Sequence, residues 1–210
     1  MQKDGTAGGP MLQVNPQGSG YVWILFAAFF WSLLGVASKF CIAGGLLPLE
    51  TAFWRAAIGC LCFIIHAAIT GSWRVNVRDA LIFMLFGLWG TAVFFAAMQI
   101  SIKLSGGGTA VVLLYTAPVW VAFFSRLLFK EKITKRKILA IGIALCGTAL
   151  VCFTGGSIPG EASIMGILFG LLAGFCYATH YPFYRWWQTR YSTAAIYAYM
   201  LLGGSIALGL

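Results

Sequence analysis

Arg55 is the side chain with the most chemistry to account for. It lies seven residues after Pro48 inside an otherwise apolar run, roughly 10 Å along a helix at 1.5 Å per residue. A charge at that depth in a membrane costs about 2.5–3.5 kcal/mol on insertion scales, so it needs a purpose. Two purposes fit: it meets an anionic group of a solute, or it forms an ion pair with Glu50 near the interface. Glu50 itself stands at a helix start, where a carboxylate favours the positive end of the dipole. Capping is its expected role, with a proton site as the alternative. Gln99, Tyr115, Thr116 and Tyr177 offer hydrogen bonds inside apolar runs, and polar groups there tend to face the bundle interior. His66 and His180 titrate near neutral pH and are candidates for moving protons. Packing is the blander role for both.

Other chemistries find no residues. The six cysteines, at 41, 60, 62, 146, 152 and 176, show no zinc spacing and read as small apolar packing residues. Gly106, Gly107 and Gly108 lack the preceding strand and the following Lys-Ser or Lys-Thr of a phosphate cradle, so close helix packing is expected of them. There is no metalloprotease pair, nucleophile elbow or nucleotide motif. No metal and no cofactor are expected. A lipid-modifying enzyme would need clustered His, Asp or Glu at one interface, and these are scattered.

The elements that carry these residues are membrane helices. The chain is 60% apolar and 9% charged, outside the range of a soluble domain. Seven runs of about 20 residues have the length needed to cross a hydrocarbon core. They are Tyr21–Ile42, Leu47–Thr70, Ala80–Ile102, Leu104–Ser125, Ile138–Thr154, Ala162–Tyr184 and Tyr191–Leu210. The expected fold is therefore all-α, a polytopic membrane helix bundle with about seven transmembrane helices. Pro118 in the fourth run and Pro182 in the sixth should kink their helices. Residues 1–20, rich in Gly, Pro, Gln and Asn, are expected to be a flexible tail.

Basic residues occupy every second gap. Arg74 and Arg78 follow the second run, Arg126 to Lys137 the fourth, and Arg185 and Arg190 the sixth. Ten of the fourteen Lys and Arg thus fall on one face. By the positive-inside rule that face is cytoplasmic, with the N-terminus on the same side. The net charge of +9 is then topological and needs no nucleic-acid partner. Lys39 and Lys103 are expected to snorkel to the opposite interface.

A shift of 146 residues aligns the first run with the sixth. Gly20 meets Gly166, Ala27 meets Ala173, Phe29 meets Phe175, Trp31 meets Tyr177 and Lys39 meets Arg185. A unit of five helices repeats with inverted topology, the architecture of many secondary transporters. Residues 21–154 form one unit, and 162–210 the start of a second. The expectation is a truncated second half, with about three more helices in the complete protein. A fragment or helper subunit is the rival reading.

The residues that frame this unit resemble the EamA family of drug/metabolite transporters. The resemblance rests on Ala28-Phe29-Phe30-Trp31-Ser32 with Lys39, on Pro48 followed by Phe53-Trp54-Arg55, and on Leu113-Leu114-Tyr115-Thr116-Ala117-Pro118. Glu131 and Gly147 complete it, while Ala140 stands where the family often has glycine. It implies a carrier of ten helices in two inverted halves, with a central cavity for a small-molecule solute. It also implies that Glu131 belongs to a helix-end motif, where it can pair locally among Lys130, Lys132 and Lys135. The expected function is alternating-access transport of a small organic solute across the cell membrane, in contact with lipid. The expected substrate-binding residues are Arg55, Trp31, Gln99, Tyr115 and Tyr177.

Overall fold

The computed structural model describes residues 16–154 and 163–210, and every element among them is helical. They fall into two units, residues 1–44 and 45–210. The first contributes helix α1 (Pro16–Ala43), which begins five residues before the expected span. Its apolar side chains Tyr21, Trp23, Leu25 and Phe29 are exposed.

The second unit is a bundle. It comprises α2 (Pro48–Ile69), α3 (Val77–Gly87), a π-helical turn (Leu88–Val93), α4 (Phe94–Leu114), α5 (Ala117–Phe129), α6 (Lys135–Thr154), α7 (Ile164–Trp187) and α8 (Thr193–Gly209). Three helical stretches in it, Pro48–Ile69, Val77–Phe129 and Ile164–Trp187, are long and apolar enough to cross a membrane. The middle stretch has 53 residues, which would reach about 80 Å if straight. Gly106 divides it: its φ of 78° and ψ of 157° are not helical, and only glycine holds such a conformation without strain. The third and fourth expected spans therefore exist and meet at Gly106. This corrects the packing role expected of the triple glycine, because a Cβ on Gly106 or Gly107 would meet nothing within 4 Å.

Pro118 does more than kink the fourth span. The helix stops at Leu114, turns through Tyr115 and Thr116, and restarts with Pro118 in the first turn of α5. Proline suits that position because its missing N–H has no helical acceptor there. Thr116 Oγ1 donates to Leu113 O at 2.6 Å and closes the turn. By contrast, α7 continues through Pro182 without interruption.

Glycines set the helix spacing, since lipid gives helices no hydrophobic reason to associate and close packing must do so. Gly166, Gly170 and Gly174 lie one turn apart on α7 and face α4. A Cβ on them would come within 2.0 Å of Ser105 Oγ, 2.6 Å of Leu113 Cδ1 and 2.8 Å of Thr116 Oγ1. The contact also lets Ser101 Oγ donate to Gly166 O at 2.8 Å. Where α3 crosses α8 the backbones touch: a Cβ on Gly87 would sit 2.0 Å from Met200 O, and one on Gly203 would sit 2.2 Å from Met84 O. Phe83, Phe183 and Ile196 fill the core beside that crossing.

Two polar contacts gather the three basic gaps at one end of this unit. Tyr191 OH, after α7, donates to Asp79 Oδ2 at 2.6 Å, at the start of α3. Arg185, near the end of α7, donates to Glu131, which follows α5. The charge pattern of the sequence thus corresponds to a real end of the bundle.

Candidate functional site

Arg55 projects from the middle of α2. The helix starts where expected, with Pro48 in its first turn and Glu50 Oε2 accepting from Leu47 N–H at 2.8 Å. Glu50 is therefore a cap, and no ion pair joins it to Arg55. The Arg55 guanidinium lies over the Phe95 ring instead, with Cζ 4.3 Å from the ring centroid.

Three carboxylates lie among the described residues, and each has other partners. Glu50 caps α2, Asp79 takes the Tyr191 hydroxyl, and Glu131 takes Arg185 and Lys137. Arg55 thus has no protein counter-ion among the described residues. A cation over an aromatic face gains about 0.5–2 kcal/mol. That falls short of the cost of holding a bare charge inside a membrane.

A belt of rings leads away from Arg55. Phe95 abuts Phe94 at 5.2 Å, and Phe94 meets Tyr177 at 5.5 Å and His180 at 6.3 Å. His180 stacks near Tyr184 at 6.3 Å, Tyr184 meets Tyr197 at 4.8 Å, and Tyr197 stacks on Phe63 at 4.9 Å with the planes 14° apart. Phe63 is back on α2, two turns beyond Arg55. The belt therefore runs α2, α4, α7, α8 and returns to α2.

The expected site residues are distributed unevenly around it. Arg55 and Tyr177 belong to the belt. Gln99 lies one turn beyond Phe95 on the same stripe of α4 and is 5% exposed, and its Oε1 has no hydrogen-bond partner among the described residues. Tyr115 sits on the broken turn before α5 and is half exposed. Trp31 lies on α1, and its side chain is outside the described part of the structure. Sequence reasoning missed Phe94, Phe95, Tyr184 and Tyr197. Tyr177, His180 and Tyr184 fall at i, i+3 and i+7, one face of a helix, and that spacing was a usable signal. Nothing in the sequence marks Tyr197.

Glu131 is positioned by the end of α5. Lys130 turns the chain there with a left-handed φ of 53°, a position glycine usually holds. Glu131 then pairs with Arg185 across the bundle and with Lys137 Nζ at 3.4 Å, not with Lys130, Lys132 or Lys135 as expected. Arg185 also lies 4.0 Å from the Phe129 ring centroid and donates to Tyr181 OH at 2.8 Å. The Arg185 hydrogen bond, and then Lys137, hold the Glu131 carboxyl below the usual carboxylate range despite some desolvation. The Asp79 contact raises the Tyr191 hydroxyl above the usual phenol value.

With this geometry in view, the similarity to known proteins is informative. A model of the EamA-like transporter family matches residues 18–153. The chain belongs to the EamA-like transporter family. It is 29% identical over 164 residues to the "Uncharacterized transporter YdfC" of Bacillus subtilis, covering 78% of this chain and 53% of that protein. An "Uncharacterized transporter" of Archaeoglobus fulgidus is 27% identical over 188 residues, covering 89% of this chain and 65% of the relative. One from Clostridium kluyveri is 24% identical over 168 residues, covering 77% and 54%. The chain thus spans about half to two thirds of the length of these relatives. No solved structure matches it. The family match begins at residue 18 and ends one residue before α6 does, so it covers the five spans read as one unit.

Proposed function

We propose that this chain forms the first half and more of a secondary transporter that moves small organic anions by alternating access. The observation that carries this reading is the lone guanidinium of Arg55, half-buried over Phe95 with no carboxylate opposite it among the described residues. The solute anion binds Arg55, and the rings from Phe95 to Tyr197 cover its body. Gln99 Oε1 and Tyr177 supply hydrogen bonds that orient it, with Tyr115 at the broken turn between Leu114 and Ala117.

Family membership supports transport as the activity. The 146-residue correspondence between α1 and α7 supports two inverted units, which rock about the central site. The discontinuous span at Tyr115 and Thr116 fits the interrupted helices found near transporter sites. The basic end, with Glu131 and Arg185, faces the cytoplasm.

The test is efflux from cells expressing the complete protein, profiled by mass spectrometry of the medium. Arg55→Ala should sharply slow export of an anionic solute that the wild type exports. Export of every such solute at the wild-type rate would end this reading.

A further inference from the structure

His180 occupies the centre of the belt. Its Nδ1 lies 3.2 Å from Cys176 O and 3.1 Å from Tyr177 O. Both partners are carbonyl oxygens and only accept, so Nδ1 carries the hydrogen and donates. In the neutral ring that leaves the lone pair on Nε2, which makes no hydrogen bond among the described residues. Nε2 points at the π-helical turn: a Cβ on Gly90 would lie 3.1 Å from Nε2 and from Cε1, and 2.8 Å from Phe86 Cε1. The imidazole therefore sits where it does because position 90 has no side chain. π-turns recur at functional sites, and here the turn brings a bare stretch of backbone up to a titratable nitrogen.

Aromatic rings from α3, α4 and α7 surround this imidazole. Phe86 of α3 meets the ring edge-on at 5.3 Å, and Phe94 of α4 at 6.3 Å. From α7 come the titratable groups Cys176, Tyr177 at 5.8 Å and Tyr184 at 6.3 Å. From α8 the titratable group is Tyr197, behind Tyr184. From α2 the charged group is Arg55, reached through Phe95 and Phe94. No described carboxylate faces the site. Aromatic faces stabilise a cation without neutralising it, so a protonated His180 and Arg55 would both lack a negative charge.

We propose that His180 Nε2 is a proton-binding site of this transporter and that the proton binds together with the solute anion. The proton enters from solvent on one side, adds to the Nε2 lone pair, and leaves on the other side. The anion on Arg55 brings the negative charge that the imidazolium needs. Each ligand therefore tightens the other, and by linkage to the same extent. The result is cotransport of one proton with the anion. This inference rests on the anion-binding role of Arg55 given above.

The test uses the complete protein reconstituted in proteoliposomes. The probe is a mixture of the proteinogenic amino acids with short hydroxy and keto acids, followed by mass spectrometry. An imposed pH gradient should accelerate wild-type flux. In His180→Gln the ratio of flux with the gradient to flux without it should fall to one, whereas His66→Gln should keep the wild-type ratio. A wild-type ratio of one, or a His180→Gln ratio equal to that of wild type, overturns the proton site and leaves the Arg55 reading standing.

A wild type that moves none of the probe overturns the anion reading and, with it, the cotransport. The proton site itself is then decided by nuclear magnetic resonance, with the His180 signal assigned by its loss in His180→Gln. Protonation of Nε2 as the pH is lowered is the expected result. A ring that stays neutral and Nδ1-protonated throughout overturns the proposal. Gly90→Ala presses on the ring without removing it, and should shift that titration.

Discussion

The crossing of α3 and α8 makes a sharp test of how the bundle is held together. A Cβ on Gly87 would lie 2.0 Å from Met200 O, 2.9 Å from Met200 C and 3.0 Å from Gly204 N. All three are backbone atoms that no rotamer change can clear. Reaching the optimal separation of about 3.5 Å would part the helices by about 1.5 Å, and a gap of even 0.5–1 Å forfeits a quarter to a half of each contact. Overpacking of this kind costs about 1–3 kcal/mol, and the upper end applies where the obstacle is backbone. Alanine is the better helix former by about 1 kcal/mol, so Gly87→Ala should lose about 2 kcal/mol net. Gly142 on α6 is the control, because its Cβ would meet nothing within 4 Å. Gly142→Ala should be neutral or gain up to about 1 kcal/mol. Thermal unfolding of the purified complete protein in detergent measures both. If Gly87→Ala unfolds at the same temperature as Gly142→Ala, the two helices do not cross as described.

Other expectations follow from the basic end. Arg185 and Lys137 depress the Glu131 carboxyl, so folding favours its charged form. Its contribution is present above the ordinary carboxylate range and is lost as pH falls through the depressed value. Unfolding measured across acidic pH should therefore be flatter for Glu131→Gln than for wild type, and identical profiles would dismiss the pairing. Tyr191→Phe removes the hydroxyl that reaches Asp79 at 2.6 Å. It should lower thermal stability, and Asp79→Asn should lower it no further in the double variant. A full additional loss would show the two residues to be independent.

Much of the fold was legible because membrane spans announce themselves by length and by loop charge. The seven runs correspond to the helical spans, and the basic gaps meet through Asp79–Tyr191 and Glu131–Arg185. Glu50 as a cap and the interruption near Pro118 also follow from local rules. The π-turn at Leu88–Val93 did not show, since it depends on how Gly87, Gly90 and Gly204 let three helices approach. The role of Gly106 was misread because composition does not separate a glycine that packs from one that turns the chain. Arg55 stood out as a charge in an apolar run, but the absence of a counter-ion became visible only once every described carboxylate had a partner. Its neighbour Phe95 carries no mark among so many phenylalanines. Glu131 was expected to pair within its own loop, and the fold brought Arg185 to it from 54 residues away.

The most direct measurement for the whole account is anion transport by Arg55 variants of the complete protein in proteoliposomes. A charge-assisted hydrogen bond is worth about 1.5–3 kcal/mol. Arg55→Ala should therefore raise the KM for the anion by about 10- to 100-fold, with Arg55→Lys intermediate. A neutral analogue of the same solute should lose nothing. An equal loss for the anion and its neutral analogue, or unchanged anion transport in Arg55→Ala, would contradict the claim that Arg55 is held unpaired to receive a negative charge.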